Sequence, residues 1–286
     1  MKLIKSSYEI LESQGYLKDI ELTGRTCYKS SDKITEDSAK GFVERMIKSG
    51  HGAMLEHGTI YLLLKGYLSD SIVENYYENK YSNCNCAYNS ALDWAVTTNY
   101  RVLVENDWLD DLKYLCEPTK YHEKRIGVRF ICDRGVSHEF VRHRVFSFAQ
   151  ESTRYCNYSK DKFGNELTFI TPCWFSDLEK NMCLAISDKL FVDNMGLFRN
   201  ELPQLSSYLI SLKESEKRYF KLLNLGWIPQ QARSVLPNSL KTELIMTGFV
   251  SDWKHFFELR DSEAAHPQAR ELAQPLHEEF IKRKLL

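Results

Sequence analysis

The residues best equipped for chemistry lie in one run, Arg142-His143-Arg144-Val145-Phe146-Ser147-Phe148-Ala149-Gln150-Glu151-Ser152-Thr153-Arg154-Tyr155. It brings three guanidinium groups and an imidazole beside hydroxyls, one carboxylate and aromatic rings. Arginine forks grip phosphate or carboxylate oxygens bidentately, and Ser and Thr can complete an anion cradle. A solvated basic helix face is the plain alternative. Two features favour the anion site. The polar residues interleave with apolar ones that seek burial, so the arginines are partly desolvated and need anionic partners. Glu151 alone cannot pair with all three of them.

Other devices are missing. The sequence has no G-x-G-x-x-G fingerprint, no phosphate loop of the G-x-x-x-x-G-K-[ST] type, no G-x-S-x-G elbow and no H-E-x-x-H. The eight cysteines are dispersed with no C-x-x-C pair, which fits free thiols and leaves no expected metal site. Arg142-His143-Arg144, then seven residues, then Ser152 matches the R-H-R-x7-S pattern, and the chain here resembles the flavin-dependent thymidylate synthases. Further blocks resemble that family: Ser49-Gly50-His51 with Leu55 to Thr59, Ala232-Arg233-Ser234-Val235-Leu236-Pro237, and the stretch from Trp253 to Arg260 that ends in Leu-Arg. The resemblance covers 38–65 and 125–280.

The resemblance implies an enzyme that makes dTMP from dUMP. The carbon would come from methylenetetrahydrofolate and the reducing equivalents from NADPH by way of FAD. It also implies a homotetramer with active sites shared between subunits. Residue by residue, it places His57, Thr59, Arg142, His143, Arg144, Gln150, Ser251 and His255 at FAD. It places Glu139, Arg142, Gln150, Glu151, Ser152, Thr153, Arg154, Arg233 and Arg260 at dUMP. Arg260 is the catalytic candidate, because a fixed cation beside the uracil favours ionisation of N3–H. Ser152 is implied as a binding residue and not a nucleophile. Glu139 departs from the family, which usually carries Gln there; an ionised carboxylate accepts hydrogen bonds but cannot donate one.

The elements that must position these residues follow from periodicity. Leu3-Ile4 and Ile20 to Leu22 read as short strands, and Ala39 to Ile47 as an amphipathic helix stopped by Gly50. His51 to His57 reads as a loop and Thr59 to Leu64 as a strand. Arg125 to Cys132 alternates as a half-buried strand, and Val136 to Arg142 is a helix with Ser137 as its cap. Helices are expected from about Leu205 to Leu225, from Gln230 to Leu236 after Pro229, from Asp252 to Arg260, and from Pro267 to Lys284 with a kink at Pro275. Leu240 to Val250 is a strand. The stretch 66–121 falls outside the family pattern and reads as a helical insertion, with Ala91 to Val104 and Trp108 to Leu115 helical. Strands and helices mix without regular βαβ spacing, which indicates α+β. The resemblance adds a central antiparallel sheet, flanked by helices, in a single domain over 1–286.

Composition narrows the partners. Lys plus Arg is 38 against 39 for Asp plus Glu, so the chain has no excess of basic residues to hold extended nucleic acid. No apolar run approaches the roughly 20 residues that span a bilayer. The N-terminus lacks a signal-peptide core, so a cytoplasmic protein without nucleic-acid or membrane partners is expected. Two other functions remain open: a non-catalytic nucleotide- or RNA-binding protein on the same scaffold, and a flavin redox enzyme with another substrate.

Overall fold

The computed structural model describes residues 1–66, 69–87, 93–185 and 202–286. In chain order the strands are β1 (Lys2–Ile4), β2 (Ser7–Leu11), β3 (Thr59–Leu64), β4 (Asn83–Cys86), β5 (Trp94–Asn99), β6 (Arg125–Asp133), β7 (Ser147–Gln150), β8 (Thr168–Ile170) and β9 (Lys241–Phe249). The helices are α1 (Tyr16–Tyr28), α2 (Ser38–Lys48), α3 (Gly52–Leu55), α4 (Ser69–Tyr77), α5 (Tyr100–Glu105), α6 (Arg134–Phe140), α7 (Asp177–Ala185), α8 (Pro203–Asn224), α9 (Pro229–Ala232), α10 (Val250–Arg260) and α11 (Pro267–Lys282).

The organising sheet has four antiparallel strands in the order β2-β6-β9-β7. The alternation read from 125 to 132 decides its faces. Val128, Phe130 and Cys132 point to one side, where they join Leu244 and Met246 of β9 under α6, α10 and α11. Phe130, Phe140, Phe146, Trp253 and Phe256 form the aromatic centre, with ring centroids 4.7 Å apart for Phe146 and Trp253 and 5.1 Å for Phe140 and Phe256. Tilted and edge-on pairs of this kind each add about 0.5–1.5 kcal/mol beyond area burial. On the opposite face α1 and α3 pack over β7. The fold is α+β, with helices on both faces of an antiparallel sheet.

Several local expectations change. Ile20 to Leu22 lie inside α1, not in a strand; Ile20 is fully buried beneath Val43 and Leu55. Three residues cannot distinguish a strand from one face of a helix, and here tertiary burial decides. Gly24 lets α1 approach α2, since a Cβ there would lie 2.5 Å from the Phe42 ring. The insertion is only partly helical. Of the expected Ala91 to Val104 helix, only Tyr100 to Val104 is helical, in α5; Trp94–Asn99 is β5, which pairs with β3 and β4 in a second antiparallel sheet, and 91–92 lie outside the described residues. Its run of Trp94-Ala95-Val96-Thr97-Thr98 favours a strand by β-branching and burial. Trp108 to Leu115 holds a 3-10 turn over Leu109–Tyr114. The cap of α6 is Asp133, whose Oδ1 accepts from the Val136 amide at 2.7 Å, and not Ser137. The 51–57 loop contains the short α3. Helix α11 continues through Pro275, and Tyr8 donates its hydroxyl to the Pro275 carbonyl at 2.9 Å. Among the described residues no helix is long and apolar enough to cross a membrane.

Gly248 on β9 ties this core to the polar run. A Cβ there would lie 2.5 Å from the Phe146 ring, which already packs against Trp253 and Phe256. Gly248→Ala should therefore lower the stability of the fold by about 1–3 kcal/mol. A urea midpoint unchanged from the parent would contradict this packing.

Candidate nucleotide-binding site

Helix α6 leaves the far end of β6, and α10 leaves the end of β9 that pairs with Arg125. The two helices lie over one sheet face, and the last residue of α10 meets the last turn of α6. There Arg260 forms a close ion pair through Nη1 with the Glu139 carboxylate and donates from Nη2 to the Glu139 carbonyl at 2.8 Å. Arg260 Nε donates to His143 Nε2 at 3.0 Å. His143 can accept there only as the neutral Nδ1–H tautomer. Its surroundings enforce that state. Burial, then the cations of Arg260 and Arg142, push its pKa down to about 4. The ring is near Phe256 and His255, with centroids at 5.1 and 6.3 Å.

The R-H-R triplet is a tight turn, with the His143 amide bonded to Phe140 O and the Phe146 amide to His143 O. His143 turns inward while Arg142 and Arg144 turn out to solvent. After the turn, β7 adds to β9 and carries the chain to a second polar cluster, roughly 10 Å on at 3.3 Å per residue. Gln150 at its end donates from Nε2 to Ser137 Oγ at 2.8 Å and Thr242 Oγ1 at 3.2 Å. Ser152 begins a turn in which its Oγ accepts from the Arg154 amide at 3.3 Å. Arg233, in a 3-10 turn after α9, donates from Nη1 to Thr153 Oγ1 at 3.4 Å. Glu151 is 2% exposed and points inward.

Among the described residues, Arg142, Arg144, Arg154 and Arg233 are exposed and none has a carboxylate partner. Such a set of unpaired forks suits phosphate groups of a nucleotide or dinucleotide, so the residues present fit a flavin nucleotide. The structure thus gathers Glu139, His143, Arg260 and His255 at one end of β7, and Ser152, Thr153, Arg154 and Arg233 at the other. Ser251 is exposed, and its amide is taken by Glu123 at 3.0 Å.

His57 and Thr59 lie elsewhere. They line a pocket between α1 and the sheet with Asp19, Tyr61, Arg125 and Thr247. Arg125 donates to Glu56 O, Thr59 Oγ1 and Ser147 Oγ, and burial lowers its pKa to about 10. His57 bonds Thr247 Oγ1 through Nδ1 at 2.8 Å, while its buried Nε2 has no partner among the described residues. Burial, reinforced by the Arg125 cation, pushes its pKa down to about 3. The exposed histidine of this segment is His51, whose Nδ1 is 3.1 Å from the Tyr28 hydroxyl. Tyr28 in turn contacts the Tyr155 ring at 5.3 Å. Its position in the Ser49-Gly50-His51 block was the available signal, but side-chain direction is set by α3.

The depressed His57 and His143, with His122 also lowered by burial, give the fold a dependence on pH. From about pH 6.5 down to about pH 4 the unfolded chain takes up protons that the folded chain refuses. Stability should therefore fall as pH falls through this window, by up to about 1.4 kcal/mol per pH unit for each histidine. His57→Gln should remove one share of that slope in urea melts at pH 7, 6 and 5; identical slopes in parent and variant would refute it.

Comparison with known proteins agrees with the motif. The profile of the family described as Thymidylate synthase complementing protein matches residues 124–283, more than half of the chain. A flavin-dependent thymidylate synthase of Corynebacterium aurimucosum is 22% identical over 261 residues, covering 89% of this chain and 71% of that one. One from Pyrococcus furiosus is 32% identical over 153 residues, 53% of this chain and 52% of that one. Among solved structures, a UMP/dUMP methylase PolB from Streptomyces cacaoi bound with 5-Br dUMP covers 99% of this chain and 93% of its own, at 17% identity and a TM-score of 0.43. That score is too low to transfer the position of any residue. With its arginine-flanked histidine and the segments bearing Ser152, Arg233 and Arg260 all inside the matched region, the chain belongs to the thymidylate synthase complementing protein family.

Proposed function

We propose that this protein is a flavin-dependent thymidylate synthase that converts dUMP to dTMP, with methylenetetrahydrofolate as carbon donor and NADPH as reductant. The observation that carries the reading is the family match over 124–283, which encloses both polar clusters around β7. FAD, when bound, would pass reducing equivalents from NADPH to the substrate. Arg142 and Arg144, exposed on either side of the inward His143, would hold its phosphates, with Ser251 and His255 on the neighbouring helix. From the 49–59 segment His51 is the better candidate for a ligand contact, because it is exposed whereas His57 is buried. Ser152, Arg154 and Arg233 would bind the dUMP phosphate, and Thr153 would orient Arg233 through the bond it already accepts.

Arg260 would act on the uracil. Its guanidinium is fixed on two sides, by Glu139 and by neutral His143, so it can meet a developing anion at N3 without reorganising. Glu139 is the counter-ion that holds it. Neutral His143 accepts from Arg260 Nε and adds no second positive charge beside it. Ser152 has no general base within hydrogen-bonding distance among the described residues, which supports a binding role. We read 1–286 as one functional unit with 66–121 as an insertion. The protein would work in the cytoplasm as a homotetramer, with Arg142 and Arg144 facing a site completed by a neighbouring copy.

A yellow protein whose absorbance is bleached by NADPH, and which releases tritium from dUMP labelled at C5, is the expected result. A protein that stays colourless after addition of FAD would overturn the reading. Arg260→Ala should keep the flavin spectrum and lose about 10²–10³-fold in turnover. Full activity in that variant would remove Arg260 from the chemistry.

A further inference from the structure

The Ser152–Arg154 turn rests on a charged network that the reaction as described does not use. Lys241 Nζ donates to Glu151 Oε2 and to Glu243 Oε1, each at 2.8 Å. Lys29 Nζ makes a close contact with Glu243 and lies 3.8 Å from Glu151 Oε2. The other Glu151 oxygen accepts the Tyr158 hydroxyl at 2.9 Å. Two ammonium groups thus balance two carboxylates at the C-terminal end of β7. Burial opposes the charge on Lys241, but the carboxylates of Glu151 and Glu243 outweigh it and raise its pKa.

Three features point to a purpose beyond stability. Burying ions is a poor way to gain it, since apolar side chains of equal volume often serve as well or better. Lys29 occupies the left-handed region after α1, at φ 49° and ψ 53°, a position where glycine is at ease and lysine is strained. The Lys29 side chain, which a glycine would lack, is what enters the network. Finally, the backbone of the turn is clamped beside the same residues. The Glu151 amide donates to Glu243 O at 2.8 Å and the Ser152 amide to Cys27 O at 3.0 Å.

We propose that Lys29, Glu151, Lys241 and Glu243 are positioning residues, which fix the Ser152–Arg154 turn so that Thr153 can hold Arg233. Glu151 on this account supports the turn and does not touch the nucleotide. The inference rests on the reading that this turn binds the dUMP phosphate. The network acts on the geometry of the phosphate site and leaves the uracil end, with Arg260 on the far side of β7, unaffected.

Two variants of the full-length FAD holoenzyme test it. Lys29→Gly suits the backbone and should fold. The double variant Glu151→Gln with Lys241→Met removes one pair together and leaves Lys29 with Glu243, so no buried charge is stranded. In each, KM for dUMP should rise about tenfold or more with kcat little changed. The inhibition constant of deoxyuridine, which has no phosphate, should stay at the parent value. A purely structural role would lower the melting temperature and leave the two ligands equally affected. Unchanged dUMP KM in either folded variant, or equal losses for dUMP and deoxyuridine, would overturn the proposal while the parent's turnover upholds the enzyme assignment. A parent that neither binds nor turns over dUMP would bring down both.

Discussion

The long antiparallel ladder between β6 and β9 is the constraint on which the rest depends. Nine residue pairs, from Arg125 opposite Phe249 to Asp133 opposite Lys241, fix the two strands without slack. A slip of β9 by one residue against β6 would turn Leu244 and Met246 out of the core that they share with Val128 and Phe130. Because each strand runs straight into a helix, register in the ladder is also register between α6 and α10. That is why Arg260, far from Glu139 and His143 in sequence, arrives within hydrogen-bonding distance of both. The strand β7 is placed by the same ladder, since among the described residues its partner in this sheet is β9 alone.

The faces of this sheet do different electrical work. On the aromatic side the charges are few and tightly held, and a neutral imidazole lies against a guanidinium. On the other side Arg125, Lys241 and Glu243 are carried by strand positions that alternate with core residues. Burying charged groups on a sheet face is tolerable here because each finds a partner: backbone and hydroxyl oxygens for Arg125, carboxylates for Lys241. The polar run read from the sequence therefore straddles two environments, and its residues divide accordingly.

Much of this was legible in the chain. The alternation at 125–132 indicated the central strand and its buried face, and the spacing of Arg142, His143, Arg144 and Ser152 marked the polar region that both clusters share. What escaped was whatever depends on side-chain direction or on distant pairing. Nothing local tells that His57 points into the body of the protein and His51 out of it. Ser147 to Gln150 is a strand of four residues hidden within a polar motif, recognisable only once β9 lies beside it. Ile20 to Leu22 and the Trp94–Asn99 part of the expected 91–104 helix differ for a related reason: short apolar stretches fit either period, and the packing partner decides. Glu151, placed at dUMP by the resemblance, has its carboxylate engaged by Lys241 and Tyr158, a pairing that no local pattern announces.

The exposed arginines carry a consequence for how fast ligands arrive. Arg142, Arg144, Arg154 and Arg233 lack carboxylate partners among the described residues, so their charge is not cancelled at short range. At physiological ionic strength such a field reaches about 8 Å before it is screened, nearly three times the length of a hydrogen bond. A doubly charged phosphate drifting past would be turned toward the surface before any contact forms, and the bimolecular capture rate would be the quantity most sensitive to added salt. A chain whose positive and negative residues nearly cancel can in this way still behave, at one patch of its surface, as a trap for small anions.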